Sequence, residues 1–490
     1  MFGKAIRSVV AGGVLALAAV VFAVPSWAAV SKRPTPTPTA TPAPAQVQWG
    51  QFQLNSLHTA AAEGSIRPPL QQVWRARTPG TTAAHGSSGP VIAGDIAIAE
   101  GASTVYAMNL SAGELAWQIP RKVGPISTPA VATIGGRDVF VYTEGATSSD
   151  SAAVAIDIAD RSELWRQPLK AVSASGVSVS GGEVYLGDRS GNLYAFSLTD
   201  GTSASWAPAG LGGGAIDAPP AASSGAVVVT ERDHDTGAVK VEAVDPSSGN
   251  DLWNLSTSVS AGTATTPTLD ESHAVVGIGG EQFVRAIALS STDTADTSWT
   301  AHTRSTFSPL SAAAEADGKV FIVSTSSSDA ALYALDTADG SKLWDFQFQE
   351  AAVETSPIVA GGTVYVGTED GVVAGIDVAS GLEVWEGQTG SGAIGPLAAS
   401  SDMLVASKRG EGGGLVAFRF DPNGTLLHVE SSTTLHLGTV LGRYAIAFAI
   451  VFGLVYGGVY AARRRLASGA APEDADAHAD DAPPDEPDGA

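Results

Sequence analysis

The sequence contains no cysteine, so disulfides, thiolate metal sites and a cysteine nucleophile are all excluded, and the fold must hold by packing alone. Basic residues are scarce: 27 Lys and Arg stand against 50 Asp and Glu, for a formal charge of −23. A phosphate backbone is bound through clustered Lys and Arg, so nucleic acid is not the partner this composition describes. There are eight histidines, at positions 58, 85, 234, 273, 302, 428, 436 and 478. They are scattered without metal-ligand spacing, and no Gly-x-Ser-x-Gly elbow occurs, so zinc and serine-hydrolase chemistry lack support. Gly210-Leu211-Gly212-Gly213-Gly214-Ala215 matches a dinucleotide fingerprint in form, but Asp217-Ala218-Pro219-Pro220 after it cannot open a helix, so it reads as a connecting loop. Asp233-His234-Asp235-Thr236-Gly237 resembles half a calcium loop without its closing Glu, and a solvated hairpin turn is the better account.

Aromatics amount to 7%, yet ten of them are Trp, and eight of the ten fall in series: Trp74, Trp117, Trp165, Trp206, Trp253, Trp299, Trp344 and Trp385. Successive spacings run from 41 to 48 residues, the length of one four-stranded propeller blade. The best-preserved unit is Leu332–Trp344, LYALDTADGSKLW: alternating apolar residues, a turn, and a short strand ending in Trp. A small residue recurs in register with the Trp, at Ala107, Ala155, Ala195, Ala243, Ala286, Ala334, Gly375 and Ala417. The fixed register implies that the Trp folds over this position to pack between blades. Asp157, Asp245, Asp336 and Asp377 recur at the turn, where their side chains should cap backbone amides. A second marker series, Pro90, Pro129, Pro219, Pro267, Pro309, Pro357 and Pro396, precedes short apolar strands.

The copies also decay. Arg161 stands where other turns have Gly, Thr292–Asp296 is an insertion, and Leu427 replaces Trp in the last copy. Trp74 lacks a hairpin partner before it. Its strand, Gln71–Arg75, is therefore expected to complete the last blade beside Leu415–Phe420, with Leu426–Val429 as the competing outer strand. The expected fold is all-β: an eight-bladed β-propeller of four-stranded antiparallel blades, plus one C-terminal transmembrane helix.

Outside the repeats, Lys4 and Arg7 precede an apolar run and Ser26-Trp27-Ala28, which reads as a signal peptide over residues 1–28; an uncleaved N-terminal anchor is the alternative. Residues 29–47 form a Pro/Thr-rich linker, and 48–430 the propeller. The span 438–462 reads as a transmembrane helix: Tyr444–Ala462 carries no charge, Arg443 flanks one end, and Arg463, Arg464 and Arg465 mark the cytoplasmic side. Residues 463–490 are acidic and should be a disordered cytoplasmic tail. The expected location is the cell membrane, single-pass, with the propeller extracytoplasmic.

The Ala-x-Asp-x-x-x-Gly-x-x-x-Trp hairpin, fullest in Ala334–Trp344 and Ala243–Trp253, resembles the repeat of the PQQ-like β-propeller family, over about Trp49–Val429. Trp49-Gly50-Gln51-Phe52 and Leu57-His58-Thr59 resemble the way many members begin. The resemblance implies either a quinoprotein alcohol dehydrogenase, with pyrroloquinoline quinone and calcium, or a non-catalytic member such as the barrel-assembly lipoprotein of bacterial outer membranes. No vicinal cysteine pair, calcium-binding acid set or catalytic Asp can be placed by motif, and no lipid-bearing cysteine exists, so anchoring falls to the C-terminal helix. The expectation is a non-enzymatic scaffold for an envelope protein or other extracytoplasmic ligand, with no catalytic, cofactor-binding or metal residues assigned. A quinone-dependent dehydrogenase-like protein and an extracellular sensor are the alternatives.

Overall fold

Eight antiparallel sheets follow one another along the chain in the computed structural model, which describes residues 49–62, 64, 66–77, 88–212, 214–233, 235–257, 265–278, 283–303, 311–325, 330–348, 353, 355–409 and 413–427. Signal peptide, linker, apolar span with its flanking arginines, and acidic tail lie outside the described residues. Among the described residues no helix is long and apolar enough to cross a membrane.

Blade 1 shows the pattern: inner strand Val91–Ala93, then Ile96–Glu100, Thr104–Asn109 and outer strand Leu115–Pro120, in that order across the sheet. The inner strands of blades 2 to 7 are Ala130–Ile134, Ser178–Ser180, Ala221–Ala222, Thr268–Leu269, Ala314–Ala316 and Ile358–Ala360. Blade 8 runs Ile394–Ala399, Met403–Lys408, Gly414–Phe420, and its outer strand is Leu70–Arg77 from the other end of the chain. Trp74 stands opposite Ala417, the register that the other repeats show for Trp and small residue. Joining the ends in this way removes an open sheet edge. The competing segment lies elsewhere: the Leu427 amide donates to the Val384 carbonyl of blade 7 at 3.0 Å.

Two markers behave differently from the sequence expectation. Pro396 lies inside its strand instead of before it, at an irregularity between Ile394 and Leu397 where the ladder is already broken, so its missing N–H costs no bond. Trp206 precedes the outer strand of blade 3, which is only Ala209–Gly210. Gly210 therefore belongs to a strand, and the loop starts after it.

In six other blades Trp faces the small residue directly: Ala107 with Trp117, Ala155 with Trp165, Ala243 with Trp253, Ala286 with Trp299, Ala334 with Trp344 and Gly375 with Trp385. The indole then reaches the next blade. Nε1 of Trp74, Trp165, Trp206, Trp299 and Trp344 donates to the carbonyl of Leu110, Leu198, Pro246, Thr337 and Val378, at 2.8 to 3.1 Å. Each acceptor sits three residues before a turn glycine, Gly113, Gly201, Gly249, Gly340 or Gly381, all at φ near +70°. A Cβ there would stand 2.5 to 2.8 Å from the same indole, so glycine is required both for the left-handed turn and for the approach of the ring. Trp385 donates instead to Leu70, in the strand borrowed from the N-terminal side. Trp253 is buried with no partner for Nε1, and the turn it would face is the one altered by the Thr292–Asp296 insertion. The turn aspartates behave as caps: Asp157, Asp245, Asp336 and Asp377 accept amides two or three residues on.

The axis is closed by the leading segment, residues 49–62. Amides of Ile92, Val131, Ala222, Leu269, Glu315 and Val359 donate to carbonyls of Trp49, Gly50, Ser56, Leu57, Thr59 and Ala60, at 2.5 to 2.8 Å. In blade 3 the Val179 amide donates to Oε1 of Gln51, whose Nε2 donates back to the Val179 carbonyl. Each donor is the second residue of its inner strand, so one arm visits blades 1 to 7 in order. Four of its residues, Gln53, Leu54, His58 and Ala60, hold positive φ, and this winding geometry is what lets so short a segment turn around the axis. His58 is fully buried: Nδ1 meets the Pro267 carbonyl at 2.9 Å and so donates, leaving Nε2 to accept from the Ser178 hydroxyl at 3.2 Å. Burial holds its pKa down at about 4, so it stays neutral.

Two outcomes are expected. Deleting residues 46–78 removes the axial arm and the outer strand of blade 8, so the cooperative urea transition of the whole domain should be lost; an unchanged transition would show that neither carries the fold. Trp344→Ala should cost about 3 kcal/mol, and Gly381→Ala, harmful in the native protein, should cost less in the Trp344→Ala background. Additive losses in that double-mutant cycle would mean that ring and turn do not press on each other.

Candidate functional site

In five blades the inner strand is preceded by a hydroxyl residue that ties it to the second strand. Oγ of Ser88, Ser175 and Ser311 and Oγ1 of Thr265 and Thr355 accept the amides of Glu100, Gly187, Val323, Gly277 and Gly367, each twelve residues on, at 2.8 to 3.0 Å. Ser88, Thr265 and Thr355 stand two places before a marker proline, so a Ser/Thr-x-Pro signal was present in the sequence and went unread. Asp217 before Pro219 and Ile394 before Pro396 stand where those three have a hydroxyl.

Asp217 and Pro396 border a funnel of about 660 Å3 beside the segments that lead into the inner strands, with Phe52 of the arm in its lining. Its walls come from blades 8 and 1 to 4, including Gly124–Thr128, Arg189, Asp217 and Arg409. Arg121 braces one wall. It is buried, and its guanidinium donates to the carbonyls of Gly101, Pro125 and Thr143 at 2.8 to 2.9 Å, with Glu100 3.6 Å away. Burial pushes the Glu100 carboxyl up to about 7, against the opposing pull of Arg121. Glu144 accepts the Lys122 amide at 3.0 Å and pairs with Arg166, which leaves Val123 on the rim, 61% exposed. On the facing wall Asp188 accepts from Tyr194 Oη at 2.7 Å and from the Ser190 and Asn192 amides, fixing the turn that carries Arg189. Arg189 lies 3.6 Å from Asp217.

The funnel is thus a braced, half-apolar bowl with two arginines and one paired carboxylate. It suits an anionic or backbone-rich ligand better than a cation. A quinone held through calcium needs converging oxygen donors around the ion. Among the described residues no group of three His, Asp or Glu is placed to hold a metal, and the funnel's described lining supplies a single acid. The series tryptophans stand in outer strands or, for Trp206, just before one, and none lines the funnel. Asp217, after the glycine-rich loop, reaches the funnel, whereas Asp293–Thr294 of the insertion pairs with the outer strand of blade 4. Asp233 caps its own turn, accepting amides of Asp235 and Thr236.

Fold and site together define an eight-bladed propeller of PQQ-like repeats. The chain belongs to the family described as outer membrane protein assembly factor BamB, which matches residues 70–208 and 289–434. No curated protein sequence matches it significantly. Among solved structures, BamB from Moraxella catarrhalis superposes with a TM-score of 0.52 at 19% identity, over 72% of this chain and 100% of that one. The computationally designed Ika8 protein gives 0.56 at 15%, over 72% and 100%. Quinohemoprotein alcohol dehydrogenase from Comamonas testosteroni gives 0.55 at 13%, over 78% and 82%. At these identities the likeness is one of fold.

Replacing Glu100 tests the brace. A carboxyl raised from 4.5 to about 7 on folding favours the folded state below pH 4.5, and that contribution is lost as pH rises through 7. Urea unfolding should therefore show Glu100→Gln gaining on the native protein between those pH values, by on the order of 3 kcal/mol. A pH-independent difference would show that Glu100 stays charged beside Arg121.

Proposed function

We propose that the protein is a membrane-anchored, extracytoplasmic β-propeller that acts as a binding scaffold for another protein or ligand in the cell envelope. Membership of the BamB family supports this reading, and the observation that carries it is the funnel's lining, which brings Arg189 and Arg409 together on a braced frame with few groups for acid-base or metal chemistry. The signal-peptide pattern at 1–28 and the uncharged run with its triple arginine at 463–465 support export and a single C-terminal anchor. A second reading, a quinone-dependent dehydrogenase-like protein, is favoured by the likeness in fold to the quinohemoprotein alcohol dehydrogenase and by Arg189 and Arg409 at the funnel, which suit a polycarboxylate.

Titration of the full chain in detergent with pyrroloquinoline quinone and calcium separates the two. The scaffold reading expects no saturable quenching of the Trp fluorescence and no alcohol oxidation with an artificial acceptor. Binding at micromolar or tighter, roughly −8 kcal/mol, together with turnover would overturn it. For topology, protease added to spheroplasts should remove the propeller and spare a tag placed after residue 490. Loss of the tag would reverse the orientation.

A further inference from the structure

The outer strand of a blade leaves a row of backbone groups along the sheet edge. At two places the chain covers that row with its own residues. Asp293–Thr294, from the insertion in blade 5, adds in parallel to the outer strand of blade 4, with Asp293 opposite Trp253 and Thr294 opposite Asn254. The Ala295 amide donates to the Asn254 carbonyl at 3.2 Å. At blade 7 the Leu427 amide donates to the Val384 carbonyl at 3.0 Å. Aligned on their tryptophans, Val384 precedes Trp385 and Asn254 follows Trp253, two positions apart. Both contacts fall on residues flanking the series Trp, so both blades present a carbonyl there to an added amide.

In blade 6 the equivalents are Leu343 and Asp345, in the outer strand Lys342–Phe348. Among the described residues no strand is added there. A groove of about 780 Å3 lies instead between this strand and blade 7, lined by Asp345, Phe346, Phe348, Asp370, Glu383 and Glu386 among others, with no base in the described lining. Leu343 beside it is 45% exposed, whereas Leu252, its counterpart under the added strand of blade 4, is partly buried and packed against the core. We propose that this groove receives an extended segment of another polypeptide, basic at alternate positions, as an added strand on Lys342–Phe348. The inference rests on the scaffold reading and names a surface for it. Added strands gain affinity from main-chain hydrogen bonds and specificity from alternate side chains. Here one row of side chains would meet the carboxylates and the other the two phenylalanines. Burial and the neighbouring Glu386 push Glu383 up to about 7, a cost that an incoming cation would relieve.

The test uses the full chain and three synthetic peptides: one alternating lysine with valine, the same peptide N-methylated along one edge, and one alternating glutamate with valine. The first should bind saturably and slow amide exchange in 342–348. N-methylation keeps charge but removes the edge donors and should abolish binding, and the glutamate peptide should not bind. Glu383→Gln with Glu386→Gln should weaken binding and flatten its salt dependence. No saturable binding, equal affinity for the N-methylated peptide, or protection at 123–128 instead of 342–348 would overturn the proposal. None of those outcomes bears on quinone binding, so the scaffold reading stands or falls separately on its own titration.

Discussion

Seven inner strands point unpaired amides at a common axis, and satisfying those amides is the constraint on which the rest of the structure depends. A buried amide without a partner costs about 1–3 kcal/mol, and a ring of them would offset much of a domain's net stability. The arm from Trp49 to Ala62 meets the need with carbonyls and one glutamine side chain. It has to turn continuously to do so, which accounts for the left-handed residues at Gln53, Leu54, His58 and Ala60 and for a histidine kept neutral in the middle of the ring.

That arm also reaches the funnel. Phe52 is in its lining, beside the segments that lead into the inner strands. Their conformation is held by buried charge: Arg121 donates to three carbonyls with Glu100 alongside, Glu144 holds the Lys122 amide, and Asp188 gathers Tyr194 and its own turn. A frame braced in this way presents its surface without rearranging, as a recognition platform requires. At the outer rim the contrast is instructive. Trp residues and turn glycines lock blade to blade, and where the lock is altered, at Trp253 and Thr292–Asp296, the inserted residues have become an extra strand. The groove at blade 6 lies along the corresponding strand, to which no strand is added among the described residues.

The blade count, the position of each Trp and the role of the turn aspartates were legible in the sequence because they repeat, and repetition separates a weak local signal from chance. Closure of blade 8 was legible for a related reason: Trp74 stood in the series without a hairpin partner. The hydroxyl before five of the inner strands also recurs, but Ser and Thr are common enough in this chain to hide it. Leu427 was misleading as a candidate outer strand, since local apolar character cannot tell which of two neighbouring edges a segment meets.

By itself, then, the sequence determined the class of fold, the number of blades and the absence of any cysteine-based or local catalytic motif, all properties of composition and period. Only the tertiary structure decided that residues 49–62 fill the axis, that Arg189, Asp217 and Arg409 share one bowl, and that among the described residues no strand is added to Lys342–Phe348. The physical reason is distance along the chain. The arm binds partners as far away as Val359, and the funnel joins residues from five blades, so no local pattern records those contacts; they exist once the ring has closed.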